Sequence, residues 1–134
     1  MKRETRDLPR VINSTAPIRI CDNGGWTDTW FARYGKVFNI AVRPHVEVQI
    51  EVSRRTVDAP QVLVNAENLG DVRDGEVRRE PLIEAAVGRV GVPEELAVTV
   101  TVFSEAPVGA SAGTSASVTV ALLGALDRLT PRVE

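Results

Sequence analysis

Residues 107–117 read Pro107-Val108-Gly109-Ala110-Ser111-Ala112-Gly113-Thr114-Ser115-Ala116-Ser117, a run with no side chain larger than valine. Before it, Leu96–Phe103 alternates, with Val98, Val100 and Val102 on one face, the pattern of a half-buried strand. After it, Thr114–Leu129 has small residues first and an apolar face later, which predicts a helix. The chain therefore passes from strand through a small-residue loop into a helix. Such a loop lets backbone N–H groups approach a ligand, and the unpaired N–H groups of the helix start point the same way. The positive end of the helix dipole adds to this. Thr114 and Ser115 supply hydroxyls that could cap the helix or meet a metal-bound phosphate. A polyphosphate suits the whole assembly. A plain loop closed against the sheet, with Thr114 or Ser115 as the N-cap, suits the spacing equally well.

The usual phosphate-loop templates do not fit. No lysine follows Gly113, which excludes G-x-x-x-x-G-K-[ST]; Gly109 and Gly113 are the only glycines of this run, which excludes G-x-G-x-x-G. Gly109-Ala110-Ser111-Ala112-Gly113 does match the serine-hydrolase pattern G-x-S-x-G. That elbow needs its serine between strand and helix, whereas seven residues including Pro107 separate Phe103 from Ser111. Its triad order also needs a histidine downstream, and the only histidine, His45, lies upstream. A hydrolase using Ser111 is the weakest reading.

The earlier part of the chain supplies the rest of a sheet. Arg10–Ile20 is a strand interrupted or ended near Pro17. Lys36–Val42 is a short apolar strand, and His45–Val52 alternates Val46, Val48, Ile50 and Val52 with His45, Glu47, Gln49 and Glu51. Pro60–Ala66 reads as another strand, expected antiparallel to His45–Val52. Leu69–Arg79 is polar with two glycines and reads as a loop or ragged hairpin. Glu80–Val90 spaces Leu82, Ile83, Ala86, Val87 and Val90 as one helical face, with Pro81 in the first turn and Gly91 as a stop. The order predicts an α+β domain, a mixed or antiparallel sheet with helices on one face.

A second glycine-bearing loop follows the first strand: Cys21-Asp22-Asn23-Gly24-Gly25-Trp26-Thr27-Asp28-Thr29. Arg19 precedes it between apolar residues, a costly place for a guanidinium unless an anion pairs with it. Asp28 suits recognition of sugar hydroxyls. Equally open are a pairing of Arg19 with Asp22 and an Asp28 that closes its own turn. Trp26 and Trp30 could stack on a sugar or pack in the core. Cys21 reads as a small buried hydrophobe, and His45 as a surface or capping residue.

Composition narrows the classes. The 134 residues carry 16 Lys+Arg, of which 14 are Arg, against 18 Asp+Glu, a net charge of −2. Near-neutral charge gives no footing for nonspecific binding to nucleic acid or anionic membranes. With one cysteine there is no internal disulfide framework and no four-cysteine metal site. Twenty-one valines favour strands. No stretch approaches about 18 uninterrupted apolar residues, and the charged Met1–Arg10 is no signal peptide, so a cytoplasmic setting is expected.

Taken together, the two loops resemble the GHMP small-molecule kinases, the family of galactokinase, homoserine kinase, mevalonate kinase and phosphomevalonate kinase. That family opens with A-P-x-R and a Gly-rich turn, here Ala16-Pro17-Ile18-Arg19 and Gly24-Gly25-Trp26-Thr27-Asp28. Its second motif, P-x-G-x-G-L-G-S-S-A-A, is matched by residues 107–117, with Ser111 in place of a glycine and Ala112 in place of the leucine. The Gly24–Thr29 turn and Gly35–Val42 look most like the sugar-kinase branch with fucokinase and heptose-7-phosphate kinase. The resemblance runs from about Asn13 to Leu129. It implies a left-handed β-α-β fold of the ribosomal protein S5 domain 2 type, with ATP as phosphoryl donor and Mg²⁺ as cofactor. It further implies that Pro107, Gly109, Ala110, Ser111, Ala112, Gly113, Thr114 and Ser115 wrap the ATP phosphates, and that Ser115 or Thr114 contacts Mg²⁺. Arg19 takes the catalytic place near the transferred phosphoryl group, and Asp28, with Trp26 and Thr27, holds the sugar or sugar phosphate. Family members carry a later catalytic aspartate in a G-x-x-D-Q-like segment and a C-terminal domain. Asp127, the only aspartate after Ser115, is in no such motif, so residues 1–134 are expected to be the N-terminal ATP-binding part of such a kinase. Surface meant for a missing half would permit pairing with a second copy, or a non-catalytic nucleotide-binding role.

Overall fold

The computed structural model describes residues 8–23, 27, 29–66, 81–106 and 113–129. In chain order the elements are β1 (Arg10–Asn23), β2 (Phe38–Arg54), β3 (Val62–Ala66), α1 (Pro81–Val90), β4 (Leu96–Ser104) and α2 (Thr114–Leu126). The four strands form one sheet in the order β1-β2-β4-β3. β1 and β2, and β2 and β4, pair antiparallel, while β3 and β4 pair parallel.

Register turns the valine pattern into a core. Ile12, Ile50, Val100 and Val64 stand in one row across all four strands, with Arg10, Val52, Val98 and Val62 in the next. Val46, Val48, Ile50 and Val52 of β2 and Val98, Val100 and Val102 of β4 are fully buried. The rows one residue along carry Asn13, Gln49, Thr101 and Asn65, then Val11, Glu51, Thr99 and Leu63. These are exposed or half-buried. Alternation thus assigns one face of the sheet to the helices and the other to water. Each fully buried valine or leucine side chain contributes roughly 1.5–3 kcal/mol of burial.

Both helices cover the apolar face. α2 buries Val118, Ala121, Leu122, Ala125 and Leu126, and α1 buries Ile83, Ala86 and Val87 in the same cluster. α1 carries the chain from β3 to β4, as a crossover between parallel neighbours must. This corrects the expected partner of the third strand: β3 pairs parallel with β4 and not with β2. Period-two alternation fixes which residues face inward but is silent on direction, and the intervening helix decides direction.

The two expected segments at residues 36–42 and 45–52 are one strand. Pro17 pairs with His45 and the next residue, Ile18, with Val42, so Arg43 and Pro44 form a bulge in β2. β1 continues through Pro17 because it is an edge strand, where a missing N–H costs no ladder bond. No helix among the described residues is long and apolar enough to cross a membrane.

Candidate functional site

The bulge places the end of β1 beside the start of α2. Gly113 is the N-cap of α2, with φ 70° and ψ 23°, and no side chain caps the helix there. This is the left-handed region, which an L side chain adopts only with strain. Arg19 supplies a second reason for glycine. A Cβ built on Gly113 would stand 2.9 Å from Nε of Arg19, 3.0 Å from its Cγ and 3.4 Å from its Cδ. The Arg19 side chain therefore lies across the helix N-terminus, in the space a side chain at 113 would fill. Arg19 is exposed.

Two further approaches fix the helix along β1. Ser117 is buried and donates its hydroxyl proton to the carbonyl oxygen of Pro17 at 2.7 Å; the Gly113 oxygen is 3.2 Å away. At the other end, a Cβ on Gly124 would stand 3.2 Å from Oγ of Ser14. The pairs 113/19, 117/17 and 124/14 run in opposite senses, so α2 lies antiparallel to β1. Its positive end sits where Arg19 emerges.

The first-turn hydroxyls do not cap α2. Gly113 occupies the cap position, which corrects the alternative of a plain Thr114 or Ser115 N-cap. Thr114 is half-buried and Ser115 exposed. The Ser115 carbonyl accepts from Oγ1 of Thr119 at 2.9 Å. Upstream, β4 ends on buried Ser104, whose Oγ accepts from the N–H of Ala106 at 3.2 Å and starts the turn toward residue 107. Pro107, Gly109, Ala110, Ser111 and Ala112 lie outside the described residues, as do Trp26 and Asp28. Thr27 is half-buried, and a Cβ on Gly35 would come within 2.7 Å of its Cγ2. Trp30 is 89% exposed and meets Phe31 edge-on at 5.6 Å between centroids, so it is no core residue. Among the described residues no group of three or more His, Cys, Asp or Glu side chains is placed to hold a metal.

The structure thus brings together Arg19, Gly113, Thr114 and Ser115. Sequence reasoning passed over Ser117 and Ser104 as functional residues. The signal for Ser117 was its place one helical turn after Gly113, where a serine on an otherwise apolar face asks for a partner. The cluster fits an anion: a helix N-terminus with no side-chain cap, a guanidinium beside it, and two hydroxyls not spent on capping.

No protein-family model and no curated protein matches the chain. Solved structures do. A D-glycero-D-manno-heptose 1-phosphate kinase from Bacteroides thetaiotaomicron has TM-score 0.58 and 20% identity over 87% of this chain and 40% of its own. A homoserine kinase from Cytophaga hutchinsonii has TM-score 0.56 and 19% identity over 96% of this chain and 38% of its own. A mevalonate pyrophosphate decarboxylase from Streptococcus pyogenes has TM-score 0.58 and 18% identity over 90% and 38%. All three belong to the GHMP family, so the fold of this chain is theirs, ribosomal protein S5 domain 2-like. The chain spans about two-fifths of the length of these structures.

Proposed function

We propose that residues 1–134 are the N-terminal, ATP-binding part of a GHMP-type kinase that transfers the γ-phosphoryl group of ATP to a sugar or sugar-phosphate hydroxyl, the anomeric one by our reading. What carries the proposal is the contact of Arg19 with Gly113 at the open N-terminus of α2. In this reading the first-turn N–H groups and the small-residue loop bind phosphate oxygens, and Arg19 neutralises charge on the γ-phosphoryl group as it moves. Thr114 and Ser115 would present hydroxyls to Mg²⁺, which when bound would offset the charge of the phosphate groups. The buried Ser117 contact keeps α2 from shifting along β1, so the donors are placed before substrate arrives.

The fold alone does not set the reaction, since one of the three neighbours is named a decarboxylase. The sugar assignment rests on the Gly24-Gly25-Trp26-Thr27-Asp28 turn and on a heptose-phosphate kinase among the neighbours. Trp30, two residues after Asp28 in the sequence, adds an exposed aromatic face. The test is phosphoryl transfer by the full-length protein from [γ-³²P]ATP to a panel of hexoses, heptoses and their phosphates. Labelled sugar that disappears in Arg19→Ala supports the proposal. Labelling of no sugar contradicts it.

A further inference from the structure

The buried hydroxyl of Ser117 joins parts of the chain 100 residues apart. Its surroundings otherwise belong to an apolar core, with Val118, Ala121 and Leu122 following it on α2. A hydroxyl in such a place costs stability unless bonded. It has one proton to give and two acceptors in reach, Pro17 O at 2.7 Å and Gly113 O at 3.2 Å. The shorter contact is the better bond. Gly113 O is already taken by the backbone N–H of Ser117 at 3.0 Å. Ser117 thus holds the N-cap glycine with its N–H and β1 with its hydroxyl. It grips β1 directly before the register break between Pro17 and Ile18, two residues from Arg19.

We infer that Ser117 is a positioning residue: its bond to the Pro17 carbonyl holds Arg19 over the N-terminus of α2. The inference rests on the reading of that place as a polyphosphate site. Pro17 has no N–H, so its carbonyl is the one backbone hydrogen-bonding group by which this residue can be held. The Ser117 hydroxyl takes that carbonyl from the helix side. Removing it frees the β1 segment at the bulge to shift against α2, and Arg19, which fills the space a side chain on Gly113 would take, shifts with it.

Two readouts test this. The first needs no ligand: the Arg19 Nε–Hε resonance in a ¹H–¹⁵N spectrum, assigned by its loss in Arg19→Lys. We expect Ser117→Ala to move it toward the free-arginine position and Ser117→Thr, which keeps the hydroxyl, to restore it. Should Ser117→Ala not fold, Ser117→Cys keeps the volume and donates only weakly. The second readout is tripolyphosphate affinity in a double-mutant cycle. Ser117→Ala should weaken binding about tenfold when Arg19 is present and have no further effect in the Arg19→Ala background. An unmoved Arg19 resonance, or an equal loss of affinity in both backgrounds, overturns the inference. If the wild-type chain binds no tripolyphosphate, the proposed function fails, and the resonance still decides the role of Ser117.

Discussion

Arg19 lies across Gly113: a single added methyl group on the glycine would sit 2.9 Å from the Nε of the arginine. The contact joins the end of the first strand to the start of the last helix. It also gives Gly113 two independent reasons to be glycine, backbone conformation and space.

Gly113→Ala therefore carries a double cost. The left-handed φ of 70° alone costs about 1–2 kcal/mol for an alanine. The rest depends on Arg19, whose flexible side chain moves aside. We expect a lower thermal midpoint together with a loss of Mg-ATP affinity, read by calorimetry on one preparation. A stability loss without an affinity loss would separate Gly113 from the site.

The glycines at the end of α1 give opposite expectations only three residues apart. Gly88 is inside the helix with open space where a Cβ would go, so Gly88→Ala should stabilise by about 0.8–1 kcal/mol through helix propensity. Gly91 ends the helix at φ 83°, its N–H bonded to Val87 O at 2.8 Å. Space is open there too, but Gly91→Ala should destabilise by about 1–2 kcal/mol through backbone strain. Urea unfolding of the two variants checks both signs.

Leu122 is fully buried where α2 meets the sheet. Leu122→Ala removes core volume and should cost about 2–5 kcal/mol. Val120, on the same helix but 63% exposed, should cost under about 1 kcal/mol as Val120→Ala. Chemical denaturation of the pair measures how firmly α2 is seated. Similar losses for both would mean that α2 packs differently from the arrangement described.

The sequence made much of this legible. Val46, Val48, Ile50 and Val52 announce a one-sided strand, and the registers confirm the face residue by residue. Both helices stand where periodicity and Pro81 put them. Direction was hidden: nothing in Pro60–Ala66 says that it runs parallel to β4, because direction follows from the crossover, not from alternation. The joining of two segments into β2 was hidden as well. Arg43-Pro44 reads locally as a break, and only an opposite strand that absorbs the bulge makes it continuous. In the site, small residues and Arg19 pointed toward an anion, and of these the structure describes Arg19, Gly113, Thr114 and Ser115. The left-handed Gly113 and the long-range bond of Ser117 are tertiary facts with only faint local marks.

The central claim is that Arg19 and the open end of α2 form one polyphosphate site. Isothermal titration of the 134-residue chain and its Arg19→Ala variant with Mg-ATP tests it most directly. Because Arg19 is exposed, the variant should keep the wild-type melting temperature. Saturable binding by the wild type, weakened tenfold or more in Arg19→Ala, is the result the account predicts. Binding of equal strength in both proteins, or no binding in either, would contradict it.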